Sequence, residues 1–142
     1  MLDDCWASLN ANAALLPALD DRRTGIIHGD LHLQNVWSDG HRVTGLLDLE
    51  WVRLAPPYVD LARMIDEAEV DELEGISAHR FVLTCWRETY PAVYKVDQLE
   101  LRVRLCRLAY HVRELSLWSP PADFRTLPPD HPQQMIKRLL ER

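Results

Sequence analysis

The stretch TGIIHGDLHLQNVW, residues 24–37, constrains this chain more than any other. Between positions 28 and 35 it sets two His, one Asp, one Gln and one Asn, and the apolar pair Ile26-Ile27 runs straight into them. Polar groups at this density are costly to bury unless they meet partners or a ligand. Ile26-Ile27 reads as a short buried strand. Gly29 then argues that the polar residues follow on a loop and not along a helix face.

What comes next folds the chain back on itself. Asn35-Val36-Trp37-Ser38 and Val43-Thr44-Gly45-Leu46-Leu47-Asp48 are two β-prone runs flanking Asp39-Gly40. That is a strong local hairpin signal, with His41 and Arg42 at the tip in solvent. The hairpin brings Asp48, at the end of its second strand, close to Asn35, at the start of its first.

The remainder reads as helix. Residues 3–19 carry Trp6, Leu9, Ala13, Leu16 and Leu19 near helical spacing, with Asp3 or Asp4 as cap and a polar exit at residues 20–23. Pro56-Pro57 stops regular structure, and Asp60 can cap a helix beginning at Leu61. Residues 66–74 hold six acids in nine positions, which reads as a solvated face. Ser77 to Tyr90 forms another helix, closed by Pro91. Asp97 to Trp118 shows one apolar stripe of Leu101, Leu105, Leu108, Val112 and Leu115, with Arg102, Arg104, Arg107 and Arg113 mostly on the other side. Five prolines make residues 119–132 an irregular surface loop, and His131 to Arg142 is a short terminal helix. The expected fold class is mainly α with a small β-hairpin (α+β). It forms a single domain over residues 1–142, with the site in 24–65 and a helical remainder in 66–142.

Composition narrows the function. A formal charge of −6 argues against a nucleic-acid partner, which asks for a basic face. Three cysteines far apart, Cys5, Cys85 and Cys106, with no C-x-x-C pair, read as free thiols in a reducing compartment. The longest uncharged stretch is too short to span a bilayer, and Met-Leu-Asp-Asp lacks the basic start of a signal peptide. The expectation is a cytoplasmic protein with no membrane or nucleic-acid partner.

The spacing of the polar groups suggests their chemistry. Asp30 is followed by four residues and then Asn35, and Asp48 lies thirteen positions further on. Phosphoryl transfer from ATP needs such a set. One carboxylate orients the acceptor hydroxyl and takes its proton, while a neutral oxygen and a second carboxylate hold Mg²⁺ against the phosphates. The protein-kinase catalytic loop runs H-R-D-x-x-x-x-N with a metal-binding Asp downstream. Here the string is His28-Gly29-Asp30-Leu31-His32-Leu33-Gln34-Asn35, with Gly29 in place of Arg. It resembles the aminoglycoside phosphotransferase and choline kinase-like family, whose loop runs H-G-D-x-x-x-x-N. Leu46-Leu47-Asp48-Leu49-Glu50-Trp51 is similar to that family's metal-binding stretch, and Pro57 to Asp60-Leu61-Ala62 resembles its continuation into a helix.

The resemblance implies a protein kinase-like C-terminal lobe and an ATP- and Mg²⁺-dependent phosphotransferase acting on a hydroxyl of a small molecule. Asp30 would be the catalytic base, and Asn35 and Asp48 the Mg²⁺ ligands that also hold the nucleotide. His28 would fix the loop, and Asp60 would support it from beneath. His32 is expected to pack within the loop, and Glu50 to lie exposed. With Gly at position 29, no Arg waits for an activation-loop phosphate. The acidic run 66–72 offers a way to attract a cationic acceptor.

The family's N-terminal lobe, with a Gly-rich loop and a strand lysine, is not expected here. The loop motif begins at residue 28, the five glycines are scattered, and Lys95 and Lys137 are the only lysines. The chain would then be an expressed fragment, a truncated gene product, or a half that pairs with a separate N-terminal-lobe chain or with itself through an apolar surface including Trp37 and Leu49, and it would act weakly or not at all alone. Two other readings stand beside this one. The chain could be a non-catalytic remnant serving as a binding or assembly module. Alternatively, His28, Asp30, His32 and Asp48 could ligate Zn²⁺ in a metal hydrolase.

Overall fold

A computed structural model describes residues 1–15, 24–117 and 127–141. The chain divides into two compact units, one of Met1–Leu16 with Glu100–Arg142 and one of Pro17–Leu99. The described residues are mostly helical, with two small antiparallel strand pairs.

The unit of residues 17–99 carries the polar loop. Strand β1 (Gly25–Ile27) pairs antiparallel with β4 (Arg53–Ala55), in the register Gly25↔Ala55, Ile26↔Leu54 and Ile27↔Arg53. Only half of the Ile pair is buried: Ile27 is 2% exposed and Ile26 79%. Side chains alternate across a strand, and a two-stranded ribbon has only one face to turn inward. Strand β4 is absent from the sequence reading because three residues ahead of Pro56 give no periodic signal. The hairpin forms from β2 (Val36–Ser38) and β3 (Val43–Leu46), with Val36 opposite Leu46 and an irregularity between Trp37 and Ser38. Its turn is held by Asp39, whose Oδ1 accepts from the N–H groups of His41 at 2.9 Å and Arg42 at 3.0 Å. Gly40 takes the left-handed φ of 91° that the turn requires.

Helix α2 (Tyr58–Leu73) starts earlier than expected. Pro57 stands at its N-cap, and Asp60 lies inside the first turn, so Asp60 is not a cap. Pro at the helix entrance is compatible with a fixed helical φ and a missing N–H that would have had no partner there. Helix α3 (Ala78–Thr89) packs on α2 and is followed by a 3₁₀ turn over Pro91–Lys95. The acidic run is not the solvated face expected of it. Asp66 is 1% exposed, Glu67 pairs with Arg63, Asp71 with His79 and Glu72 with Arg80.

The other unit is helical. Helix α1 (Leu2–Ala11) gives way to a 3₁₀ turn at Ala13–Leu15, and α4 (Leu99–Glu114) and α5 (Pro132–Leu140) follow among its described residues. The expected continuation of α1 to residue 19, the polar exit at 20–23 and most of the proline-rich loop lie outside the described residues. The stripe on α4 does form the core: Leu105 and Leu108 bury with Cys5, Leu9, Ile136 and Leu139, and Leu101, Val112 and Leu115 pack against them. Each such side chain contributes roughly 1.5–3 kcal/mol on full burial. Arg107 departs from the expected polar side, being only 5% exposed. All three cysteines are free, and burial pushes the Cys5 thiol above its ordinary value. No helix among the described residues is long and apolar enough to cross a membrane.

Candidate active site

The loop between β1 and β2 is gripped from α2. The two carboxylate oxygens of Asp60 accept the N–H of His28 at 2.9 Å and of Gly29 at 2.8 Å. Both bonds are buried, and a charged acceptor makes them stronger than neutral ones. They tie the exit of β1 to α2 immediately before Asp30. Gly29 has φ +86°, and a Cβ built there would sit 2.4 Å from the Trp51 carbonyl oxygen and 2.5 Å from an Arg53 guanidinium nitrogen. The ribbon β1/β4 therefore approaches the loop so closely that only glycine fits at this position. That is a physical reason for Gly where the protein-kinase string has Arg.

His28 turns to the hairpin. Its Nε2 donates to the Leu47 carbonyl at 2.8 Å, and the Leu47 N–H donates to the Asn35 carbonyl at 2.9 Å. Leu47 is thus clamped to the loop through both of its backbone groups, one residue before Asp48. Asp48 follows in a left-handed conformation, φ 56°, and leads into the 3₁₀ turn Leu49–Trp51. Its side chain is exposed, as is that of Glu50.

Asn35 is 8% exposed at the end of the 3₁₀ turn Leu33–Asn35. Its Nδ2 donates to the Asp30 carbonyl at 3.1 Å and to His32 Nε2 at 3.0 Å. Both hydrogens of the amide nitrogen are used within the loop, which leaves Oδ1 as its outward-acting oxygen. His32 packs in the loop, donating from Nδ1 to the Gln34 side chain and accepting from Asn35 at Nε2.

Asp30, whose side chain is 18% exposed, has a partner that sequence reasoning missed. Arg63, one turn along α2 from Asp60, donates from Nε to Asp30 Oδ1 at 2.7 Å and also pairs with Glu67. Asp30 Oδ2 lies 3.8 Å from His32 Nε2. The only sequence signal for Arg63 is its place three residues after Asp60, which puts both on one helix face. His79 was missed as well. It is 4% exposed, its Nε2 accepts the Leu33 N–H at 3.1 Å, and its Nδ1 donates to Asp71 Oδ2 at 2.7 Å. Burial is the largest influence on the Asp71 carboxyl and acts to raise its pKa. Hydrogen bonds from the His79 ring and backbone outweigh it, and the net shift is downward.

Asp60, His28, Asp30, Asn35 and the backbone leading to Asp48 are therefore joined by one hydrogen-bonded network. The donor set of Asn35 and Asp48 is oxygen only, which fits Mg²⁺. The zinc constellation of His28, Asp30, His32 and Asp48 fits poorly. Both ring nitrogens of His32 are engaged within the fold, which removes it from that ligand set. Among the described residues no three or more His, Cys, Asp or Glu gather as ligands for one metal ion.

Residues 2–96 match APH, the phosphotransferase enzyme family. The chain belongs to this family, and its class is that of a phosphoryl-transferring, kinase-type enzyme. Comparison with curated proteins gives no match, and comparison with solved structures gives none either.

Proposed function

We propose that this chain is the catalytic lobe of an ATP-dependent phosphotransferase acting on a hydroxyl of a small molecule. The observation that carries the reading is the division of labour within the loop. Asp30 keeps one carboxylate oxygen on Arg63 and its second oxygen outside that bond, while the Asn35 amide nitrogen is consumed by the loop. Asp30 then orients the acceptor hydroxyl and accepts its proton as the phosphoryl group moves. Asn35 Oδ1 and the Asp48 carboxylate are the residues that would hold Mg²⁺. Bound there, the ion would neutralise charge on the phosphate oxygens. His28 and Asp60 hold the loop and touch no substrate.

The sequence carries no Gly-rich loop or strand lysine to cover the phosphates, and activity of this chain alone is weak or nil on this reading. Trp37 at 62% exposure and Leu49 at 55% support an apolar pairing surface, whether for a phosphate-covering lobe or for a second copy of this chain. The acceptor is a small hydroxylated molecule. The pairing of Glu67, Asp71 and Glu72 with basic partners on this chain removes much of the argument for a cationic one.

Binding is the test, since it does not require turnover. Titration with Mg²⁺-ATP, followed by tryptophan fluorescence, is expected to give a saturable response that Asp48→Asn abolishes and that disappears with EDTA. A response indifferent to Asp48 and to Mg²⁺ would favour the non-catalytic binding module instead.

A further inference from the structure

The loop 28–35 is anchored at its start by Asp60 on α2. Its second half is anchored from elsewhere. Leu33 opens the 3₁₀ turn that ends in Asn35, and its N–H donates to the His79 imidazole, 46 residues away on α3. His79 is in turn fixed twice by one oxygen, Asp71 Oδ2, which accepts its backbone N–H at 3.1 Å and its Nδ1–H at 2.7 Å. Asp71 lies near the end of α2, and His79 is the second residue of α3. The corner between the two helices thus presents a single oriented acceptor to the loop.

The chemistry of the two ring contacts fixes the tautomer. A backbone N–H can only approach a ring nitrogen that carries a lone pair, so Nε2 is bare. A carboxylate at 2.7 Å calls for a proton on Nδ1. His79 is therefore held as the Nδ1–H form, and Asp71 is the group that sets it. Without this acceptor the Leu33 N–H would lose its partner at the point where the chain turns to deliver Asn35.

We infer that His79 is a positioning residue for the phosphotransferase site: its Nε2, oriented by Asp71, sets the 3₁₀ turn that presents Asn35 to the metal. The inference rests on the phosphotransferase reading for its functional consequence. Its structural content, that Nε2 and not the bulk of the ring holds the loop, stands or falls separately.

Two substitutions separate the ring's two contacts. His79→Gln keeps an acceptor at about the reach of Nε2. His79→Asn keeps a donor at about the reach of Nδ1, so it preserves the tie to Asp71 and removes the tie to Leu33. Hydrogen exchange on the full chain reads the outcome directly. The Leu33 amide is expected to exchange within about threefold of the parent rate in His79→Gln and at least about tenfold faster in His79→Asn, as loss of a buried acceptor implies. A role confined to packing α3 on α2 predicts the reverse order, with Asn the better replacement, and that result would overturn the inference. ¹⁵N spectra of the unmodified protein add a test that needs no variant. The His79 ring must show the Nδ1–H tautomer, and an Nε2–H ring would equally overturn it.

The functional arm uses Mg²⁺-ATP as probe. Affinity is expected to fall about tenfold in His79→Asn and to be restored by His79→Gln, in step with Leu33 exchange. Ordered exchange with unchanged affinity would refute the positioning role while leaving the tether. No saturable binding by the parent chain would instead count against the phosphotransferase reading, and the exchange order and tautomer would still decide the tether.

Discussion

The loop of residues 28–35 and the hairpin of β2 and β3 are consecutive in sequence and opposite in how they are held. In the loop, His28 and Asn35 are 6% and 8% exposed, and the main-chain N–H groups of His28, Gly29 and Leu33 end on side chains of α2 or α3. In the hairpin, Trp37, Val43 and Leu46 are 62%, 61% and 48% exposed, and order comes from the turn's own residues. The loop therefore borrows its geometry from distant helices, whereas the hairpin makes its own. Side chains that carry chemistry need fixed positions, and rigid elements supply them better than loop residues acting alone.

If that contrast is right, breaking the long-range ties should cost far more than changing the ribbon. Asp60→Ala should be the most damaging, because it strands two buried N–H groups at once. A loss of roughly 3 kcal/mol or more is expected in urea unfolding, with Asp60→Asn recovering part of it. Gly29→Ala comes next: it places a Cβ 2.4 Å from the Trp51 carbonyl at a left-handed φ, and a loss of about 2–3 kcal/mol should appear in the same measurement.

A smaller effect should appear with pH. The Asp71 carboxyl is lowered in the folded chain from its ordinary 3.8. Its stabilisation is therefore fully present above that ordinary value and is lost as pH falls through the lower folded one. Stability of the unmodified chain should decline across that acid window more steeply than that of Asp71→Asn. Parallel acid limbs would remove Asp71 from the account. On the ribbon, Val43→Thr should change stability by no more than about 0.5 kcal/mol, since 61% of Val43 is already in solvent. A change of several times that size would mean that the hairpin is packed as firmly as the loop, and the contrast would fail.

The same contrast explains what was legible in the sequence. The hairpin could be read from Asp39-Gly40 and two β-prone runs because its cause is local. The loop's string His28-Gly29-Asp30 to Asn35 was legible as a pattern. The reason for Gly29 was not, because it lies in Trp51 and Arg53 brought in by β4, a three-residue strand with no signal of its own. Asp60 was singled out, but reading it as a possible cap placed the helix start too late. The signal that α2 begins at Tyr58 is Pro57, whose fixed φ suits the entrance. Arg63 and His79 went unnoticed, and Asp71 was read only as one acid of the run 66–74. Their roles depend on α2 and α3 folding back on the loop, a contact over 33 positions for Arg63 and 46 for His79 that no local window contains. The apolar stripe of α4 was readable because helix periodicity and burial coincide there. The burial of Arg107 was not, since a charge on a stripe's border gives no sign of which side it takes.

On the proposed function, the oxygen atoms of Asn35 and Asp48 act on one divalent ion. Paramagnetic broadening by Mn²⁺, added with ATP to the ¹⁵N-labelled chain, tests it most directly. The account predicts selective loss of the Asn35 side-chain amide signals and of the backbone signals around residues 35 and 48, saturable with Mn²⁺ and abolished by Asp48→Asn. Broadening centred on the acidic stretch of α2, or spread evenly and unaffected by Asp48→Asn, would contradict it.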